Sequence, residues 1–327
     1  MSNVEIPATD IIMKIKNVTK KFFLDNGKVL TACDNISLNI PRGKTFGIVG
    51  ESGCGKTTLL KAVMNIDRPT EGEIIFNGRD ITKLEGEELR QNYRRMQLVF
   101  QDPTAAFNPK MKVKNIITEP LINFDIIKQN EVDEKAKELL KQVELPQNFA
   151  ERYPHNMSGG QRQRVAIARA LSIQPEIIAC DEATSALDVS VQDTIIKLLV
   201  KLQKEKGFTY IFICHDLALV SLFAHRIAVM YLGNVMEILD GKDMENAKHP
   251  YTKALLGSVF SIDKGKNKEV TVLEGDIPSP LNVPQGCPFQ NRCKYKKEIC
   301  AKDKPKLKEV ANNHFAACHF VVDNDFQ

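Results

Sequence analysis

The chain has 327 residues, of which 43% are hydrophobic and 26% charged, and these proportions are ordinary for a globular protein. A formal net charge of +4 is too small to indicate nucleic acid binding. No apolar run approaches the roughly 18–20 residues that span a bilayer, and the N-terminus lacks the basic and apolar stretches of a signal peptide. We therefore expect a cytosolic protein, unless a partner holds it at a membrane.

The first part of the chain is predicted to form short strands over residues 11–15, 36–40 and 45–49, and a helix is predicted to begin near residue 58. The segment between the third strand and this helix matches G-x-x-x-x-G-K-[ST], and the residues expected to bind a ligand are Gly50, Ser52, Gly53, Cys54, Gly55, Lys56, Thr57 and Thr58. A glycine-rich turn before a helix N-terminus presents backbone N–H groups and a positive dipole end to a polyanion. We predict that Lys56 contacts the β- and γ-phosphates of a nucleotide and that the Thr57 hydroxyl binds Mg²⁺.

Two further strands are predicted over residues 73–78 and 96–100, and the second delivers Gln101 to its end. The segment that follows is rich in Lys and Glu and has apolar residues at helical spacing, namely Val132, Ala136, Leu139, Leu140 and Val143. This pattern predicts a helical insertion over residues of about 102–160.

Helices and strands then alternate: a helix over about 160–172, a strand over 177–181, a helix over about 191–204 and a strand over 210–213. The alternation predicts a parallel sheet covered by helices on both faces. The strand at 177–181 ends in two acids. Asp181 is suited to hold Mg²⁺, and Glu182 to polarise a water for attack on a γ-phosphate.

A second glycine-rich helix start resembles the L-S-G-G-Q signature of ABC transporter ATPases, with Met157 replacing the usual Leu. Its residues are Ser158, Gly159, Gly160 and Gln161. A serine hydroxyl and bare glycine N–H groups at a helix start form an anion site. The resemblance implies that this site binds the γ-phosphate of an ATP held by the opposite subunit. A simple serine-capped helix would explain these four residues, but it would not explain why they occur in the same chain as the other motifs.

The resemblance extends to single residues that occur in the family's order. It assigns Gln101 to Mg²⁺ and to sensing a membrane partner, Asp188 to the dimer contact, and His215 to a hydrogen bond with the γ-phosphate. It assigns Phe22 to stacking on adenine, with Phe23 as a close rival and a core role open for either.

The fold class that the resemblance implies is α/β: a RecA-like core with an antiparallel β subdomain, a helical subdomain and a small cysteine-rich C-terminal extension. An ABC ATPase domain is expected over residues 1–260. A polar linker over 261–269 and a transporter C-terminal region complete residues 261–327. Segments 95–103 and 249–256 look like the oligopeptide/dipeptide branch, and 53–55 with 107–109 like its F-type ATPase subunit.

The implied function is ATP hydrolysis that powers peptide uptake through an ABC importer, with ATP and Mg²⁺ as cofactors. The implied location is peripheral, at the cytoplasmic face of the cell membrane. The implied partners are a paralogous ATPase in a heterodimer, two transmembrane permeases and an extracellular peptide-binding protein, with no nucleic acid. Import of nickel or another small solute is an alternative. A soluble ABC ATPase acting on nucleic acid or ribosomes is disfavoured, because the chain has no coiled-coil insertion and no second ATPase domain.

The eight cysteines are unevenly distributed. Four are scattered singly and are expected to be small core or loop residues: Cys33, Cys54, Cys180 and Cys214. Four crowd the tail with the spacing C-x₅-C-x₆-C-x₁₇-C: Cys287, Cys293, Cys300 and Cys318. In a cytosolic chain such crowding favours metal over disulfides, and four thiolates suit zinc or an iron–sulfur cluster. Unliganded thiols are a third possibility. His314 and His319 lie nearby as substitute ligands, although a solvated or core role is favoured for each. The resemblance associates this tail with a [4Fe–4S] cluster.

Overall fold

The chain divides into two compact units in the computed structural model, which describes residues 10–25, 27–260, 275 and 278–321. The first unit combines the residues up to Lys83 with those from Cys214 onward, and the second runs from Leu84 to Ile213. The linker predicted over 261–269 lies outside the described residues.

The first unit contains a four-stranded antiparallel sheet in the order β2-β1-β4-β5. Its strands are β1 (Ile11–Phe23), β2 (Val29–Pro41), β4 (Glu71–Phe76) and β5 (Arg79–Asp80). The runs predicted over 11–15 and 36–40 are parts of two strands of 13 residues each. Asn17 and Asn35 adopt left-handed conformations, each with φ of 51°. The register between β1 and β2 shifts near these residues, so the alternation on which the prediction relied is interrupted while the pairing continues.

A second set of strands in this unit pairs in the order β11-β12-β10-β9-β3. Its strands are β3 (Thr45–Val49), β9 (Arg226–Tyr231), β10 (Asn234–Asp240), β11 (Lys308–Ala311) and β12 (His314–Ala316). Only β3 and β9 run parallel, whereas β10, β12 and β11 pair antiparallel. The sheet is therefore mixed rather than parallel throughout.

The tail is not a separate extension, and that part of the predicted fold class is not supported. Strand β12 pairs with β10, and the tail lies in the same compact unit as the first strands of the chain. A segment with few apolar residues gains its core by joining an existing sheet. The helices of this unit are α1 (Lys56–Val63), α8 (Leu217–Ser221), α9 (Pro250–Phe260) and α10 (Glu298–Lys302).

The second unit alternates helices with three parallel strands in the order β8-β7-β6. The strands are β6 (Met96–Val99), β7 (Ile177–Asp181) and β8 (Thr209–Cys214). The helices are α2 (Gly86–Arg95), α3 (Pro103–Ala106), α4 (Val113–Asn123), α5 (Val132–Gln142), α6 (Gly159–Leu171) and α7 (Val189–Lys206). The predicted alternation and parallel pairing are present here. The apolar residues of α5 that carried the helical spacing are buried.

Among the described residues, no helix is both long enough and apolar enough to cross a bilayer.

Candidate nucleotide-binding site

The segment between β3 and α1 is a loop that only glycine permits at two positions. Gly50 has φ of 154°, and a Cβ there would lie 2.2 Å from the Met230 carbonyl oxygen. Gly55 has φ of 104°, and a Cβ there would lie 2.1 Å from the Ala32 carbonyl oxygen. Side chains rarely adopt such φ values, and neither site has room for one. The loop is thus held close to neighbouring backbone just before the helix N-terminus.

The Lys56 side chain is buried beneath this loop and binds its backbone. Its side chain is 5% exposed, and Nζ donates hydrogen bonds to the carbonyl oxygens of Gly50 at 2.8 Å and Glu51 at 3.0 Å. A buried ammonium held by carbonyl oxygens can exchange them for phosphate oxygens, which form stronger charge-assisted bonds. Lys56 and the N-terminus of α1 together give this loop the chemistry that an anion site needs. Thr57 and Thr58 follow in the first turn and are partly exposed.

Cys54 is a buried residue of the loop. Its side chain is 3% exposed, and burial is the main cause that raises the pKa of its thiol. Burial likewise raises the pKa of Cys33 to about 12. These thiols are therefore protonated and unreactive at neutral pH. Ser52 and Gly53, in contrast, are exposed.

Two other predicted ligand residues of the first unit lie in accessible positions. Phe22 is partly exposed, and the Lys20 ammonium lies 5.2 Å from the centre of its ring. Its rival Phe23 is 75% exposed. His215 directly follows β8 and is exposed.

In the second unit, β6 and β7 each deliver polar residues to their carboxyl ends. Gln101 Nε2 donates a hydrogen bond to Ser185 Oγ at 3.1 Å, and Ser185 Oγ donates to the Glu182 carbonyl oxygen at 3.0 Å. Glu182 has φ of 46°, which is uncommon for a residue with a side chain and is often found at functional sites. The structure thus joins Gln101 to the loop that carries Asp181 and Glu182.

The signature-like segment begins helix α6. Ser158 is its N-cap: Oγ accepts from Gln161 N at 3.4 Å, and Ser158 N donates to Gln161 Oε1 at 3.0 Å. This reciprocal capping box fixes the start of the helix, and Ser158 itself remains exposed. Asp188 occupies the N-cap position of α7 and is also exposed.

The four tail cysteines converge, as the sequence predicts. Cys287, Cys293, Cys300 and Cys318 line one cavity of about 10 Å³, with Phe289 among its apolar walls. All four are free thiols, and burial raises the pKa of Cys287 to about 12 and of Cys293 to about 11. Among the described residues, however, no group of three or more His, Cys, Asp or Glu side chains is arranged to hold one metal ion. The geometry of the described residues therefore supports neither the predicted [4Fe–4S] cluster nor the zinc alternative.

The two histidines considered as substitute ligands have other contacts. His314 Nε2 donates to Glu237 Oε1 at 2.7 Å, in a fully buried pair. His319 Nε2 lies 3.0 Å from the Asp303 carbonyl oxygen, and its side chain lines the cysteine cavity.

Two residues that the sequence analysis did not predict contact the phosphate loop. The Arg292 guanidinium binds the Glu51 carboxylate through two N–H groups, at 2.6 and 3.0 Å. The Tyr251 hydroxyl accepts a hydrogen bond from Glu51 N at 3.0 Å. These partners are 241 and 200 residues away along the chain, so no local spacing could indicate them.

Comparison with known proteins agrees with this geometry. The family model described as "ABC transporter" matches residues 33–185, and the one described as "Oligopeptide/dipeptide transporter, C-terminal region" matches residues 236–300. The oligopeptide transport ATP-binding protein AppF of Bacillus subtilis is 46% identical over 95% of this chain and 97% of its own length. The chain belongs to the ABC transporter family of ATP-binding proteins.

Other relatives support the same assignment. The oligopeptide transport ATP-binding protein OppF of Haemophilus influenzae is 45% identical over 98% of this chain and 97% of its own length. Among solved structures, the ABC cassette MJ0796 bound to ADP and Pi has a TM-score of 0.64 at 36% identity, covering 70% of this chain and 98% of its own. The cbiO1 protein of Clostridium perfringens has a TM-score of 0.65 at 29% identity, covering 77% of this chain and 97% of its own. The fold is that of an ABC cassette, and the chain is an ATPase.

Proposed function

We propose that this chain is the ATP-hydrolysing subunit of an importer for oligopeptides or dipeptides, bound at the cytoplasmic face of the cell membrane. The observation that carries the proposal is the pairing of a phosphate loop, closed by Lys56, with a C-terminal region that matches the oligopeptide/dipeptide transporter model. The relatives described as peptide or oligopeptide transport proteins span nearly the whole chain. Residues 1–260 would form the ATPase domain, and 261–327 the linker and transporter-specific region.

Each residue of the nucleotide site would have a role that follows from its chemical group. The phosphate loop would bind the β- and γ-phosphates through backbone N–H groups and Lys56. Hydroxyl, amide and carboxylate oxygens suit Mg²⁺, and these would come from Thr57, Gln101 and Asp181. Glu182 would accept a proton from the attacking water, His215 would hydrogen-bond the γ-phosphate, and Phe22 would stack on adenine.

ATP would be bound between this chain and a paralogous ATPase. The signature segment at the start of α6 would meet the γ-phosphate bound by the partner. Ser158 and Asp188 are exposed, and Val189 beside Asp188 is 82% exposed, as a contact surface requires. Two membrane permeases and an extracellular binding protein would complete the importer.

Reconstitution tests the proposal. The chain, its paralogue, the two permeases and the binding protein are placed in proteoliposomes, and ATP-dependent uptake of a radiolabelled tripeptide is compared with uptake of ⁶³Ni²⁺. We expect tripeptide uptake that Lys56→Ala and Glu182→Gln abolish, while Thr194→Ala, on the exposed side of α7, leaves it unchanged. Uptake of nickel but not peptide would favour the small-solute alternative and refute the proposed substrate class.

We further propose that the four tail thiols hold a [4Fe–4S] cluster. The support is their convergence on one apolar cavity, because a cluster of this kind takes four cysteine ligands. When bound, the cluster would cross-link the tail and supply a one-electron redox centre. Cys287, Cys293, Cys300 and Cys318 would hold it as thiolates.

Anaerobic purification tests this second proposal. Brown protein with four iron and four sulfide per chain is expected, and Cys300→Ser should lower both contents and the thermal stability of the tail. Cys180→Ser, a buried thiol far along the chain from the tail, is the matched control. One zinc per chain, or metal-free protein with an unchanged tail, would contradict the cluster.

A further inference from the structure

The phosphate loop carries a carboxylate at a position where a carboxylate is electrostatically unfavourable. Glu51 directly follows Gly50 in the loop, and its backbone carbonyl accepts a hydrogen bond from Lys56 Nζ at 3.0 Å. A bound triphosphate brings several negative charges to the same loop. An unpaired Glu51 would repel them and would compete for the cations that bind them.

Arg292 neutralises this carboxylate with a bidentate pair. Its Nη1 lies 2.6 Å from Glu51 Oε2, and its Nη2 lies 3.0 Å from Glu51 Oε1. The arginine side chain is 5% exposed and the glutamate 18% exposed, so water screens the pair only weakly. A fork-to-fork pair also fixes the orientation of the carboxylate, which a single ammonium would not do.

The segment that delivers Arg292 is itself anchored. Phe289 is 2% exposed, and its ring centre lies 5.4 Å from that of Tyr231 and 5.2 Å from that of Tyr251. Arg292 N donates to the Phe289 carbonyl oxygen at 3.1 Å. The Tyr251 hydroxyl accepts from Glu51 N at 3.0 Å. Both the side chain and the backbone of Glu51 are therefore held by the C-terminal part of the chain.

We propose that Arg292 is a positioning residue for ATP binding: it cancels the charge of Glu51 and holds the phosphate loop in the shape that receives the triphosphate. The inference rests on the proposed assignment of this loop to ATP. It adds a role for the C-terminal region, which reaches the loop through Arg292.

A double-mutant cycle distinguishes this role from that of a simple structural contact. Full-length protein is titrated with MgADP and with MgATPγS by calorimetry. Arg292→Ala should weaken binding by about tenfold or more, because it leaves Glu51 unpaired beside the phosphates. Arg292→Ala combined with Glu51→Gln should return the affinity to within about threefold of wild type, because no uncompensated charge remains.

Salt gives an independent readout. Raising ionic strength should narrow the difference between Arg292→Ala and wild type, since screening weakens repulsion between Glu51 and the nucleotide. Arg292→Lys keeps the charge without the fork, and its affinity should lie between wild type and Arg292→Ala. If Arg292→Ala does not fold, the nucleotide affinity of Arg292→Lys tests the proposal in its place.

The matched control is Lys304→Ala, which removes another ion pair between the tail and the first strands. Lys304 Nζ lies 2.6 Å from Asp34 Oδ2, but both side chains are more than two-fifths exposed, at 44% and 43%. We expect unchanged nucleotide affinity in this variant. The proposal is overturned if the double variant binds nucleotide no more tightly than Arg292→Ala does. It is also overturned if Arg292→Ala binds nucleotide with wild-type affinity.

Lys56→Ala distinguishes failure of the ATP assignment of the loop from failure of the role of Arg292. If it binds nucleotide normally, the assignment of the loop fails. If it loses binding while Arg292→Ala does not, only the role of Arg292 fails.

Discussion

The side-chain amide of Gln101 donates a hydrogen bond to the hydroxyl of Ser185, with 3.1 Å between Nε2 and Oγ. Ser185 in turn donates through its hydroxyl and its backbone N–H to the carbonyl oxygen of Glu182, each at 3.0 Å. A residue at the end of one strand is thus connected to the left-handed backbone of Glu182 at the end of its neighbour. The connection gives a specific expectation for catalysis.

Ser185→Ala should lower kcat for ATP by up to about tenfold and leave KM nearly unchanged. It removes two side-chain hydrogen bonds, each contributing about 0.5–1.5 kcal/mol net, from the loop that orients Glu182. Steady-state ATPase assays with the partner subunit present measure both constants. Thr194→Ala removes a hydroxyl that donates within α7, to the Ser190 carbonyl oxygen at 2.8 Å, and serves as the control. Equal kcat in wild type and Ser185→Ala would show that the backbone bond alone suffices.

Glu182→Gln should preserve ATP binding while slowing hydrolysis by about 10²–10⁴, the usual contribution of a positioned general base. It should also trap an ATP-bound dimer, since the nucleotide that holds the two subunits together persists. Lys56→Ala should instead weaken binding, because it removes a charge-assisted contact to phosphate. Single-turnover kinetics and size-exclusion chromatography with ATP separate these effects. Near-normal turnover of Glu182→Gln would remove Glu182 from its role.

Gly160→Ala should destabilise the second unit by about 1–3 kcal/mol, the usual cost of overpacking. A Cβ at Gly160 would lie 2.5 Å from Val191 Cγ1, and a β-branched side chain cannot easily move away. The variant with both Gly160→Ala and Val191→Ala should recover part of the loss in urea unfolding. Gly159→Ala is the control, because its Cβ would meet the far end of Leu187 at 3.3 Å. Equal effects of the two glycine substitutions would contradict the packing explanation.

Glu237→Gln should destabilise the protein more at pH 7 than in acid. Glu237 is 0% exposed, and its Oε1 accepts from the backbone N–H groups of Lys248 and His249 at 2.6 and 3.1 Å. Burial opposes ionisation, but the hydrogen bond from His314 is the largest of several contributions that outweigh it, so the pKa of this carboxyl is lowered. Its ionised form therefore favours folding above the unfolded value of about 4.3, and this stabilisation is lost as the pH falls below that value.

Urea unfolding at pH 7, 5 and 3.5 measures this dependence. The difference in the free energy of unfolding between wild type and Glu237→Gln should be constant from pH 7 to 5 and should shrink at pH 3.5. Glu298→Gln, which alters an acid whose side chain is 83% exposed, should show little difference at any pH. If this difference in the free energy of unfolding stays constant down to pH 3.5, the lowered pKa of Glu237 is contradicted.

The elements that the sequence predicted best are those with purely local causes. The apolar run of β3 and the glycines that follow it define a strand and a turn without reference to the rest of the chain. Likewise, the apolar spacing of α5 predicts its buried face. The antiparallel strands β9 to β12 were missed, because continuous apolar runs such as that of β9 do not distinguish strand from helix.

The relation between the tail and the loop could not be predicted for a different reason. Arg292 lies beside Cys293 in a basic segment, where a charged residue is normally solvated. Its partner is defined only when the tail joins the sheet of β10. Pairings of this kind depend on topology, and a single sequence without covarying positions carries no record of them.

The first unit is built from the two ends of the chain, and this has a consequence for biosynthesis. Glu51 and Arg292 are 241 residues apart, so a ribosome adding about 5–20 residues per second makes the loop roughly 10–50 seconds before its partner. Strand β3 pairs with β9, from Phe46 beside Arg226 onward, so it waits seconds for its partner, whereas a hairpin closes in microseconds. The second unit is continuous from Leu84 to Ile213 and has no such delay. The second unit can therefore fold while the strands at the start of the first unit still lack the partners that the ribosome adds last.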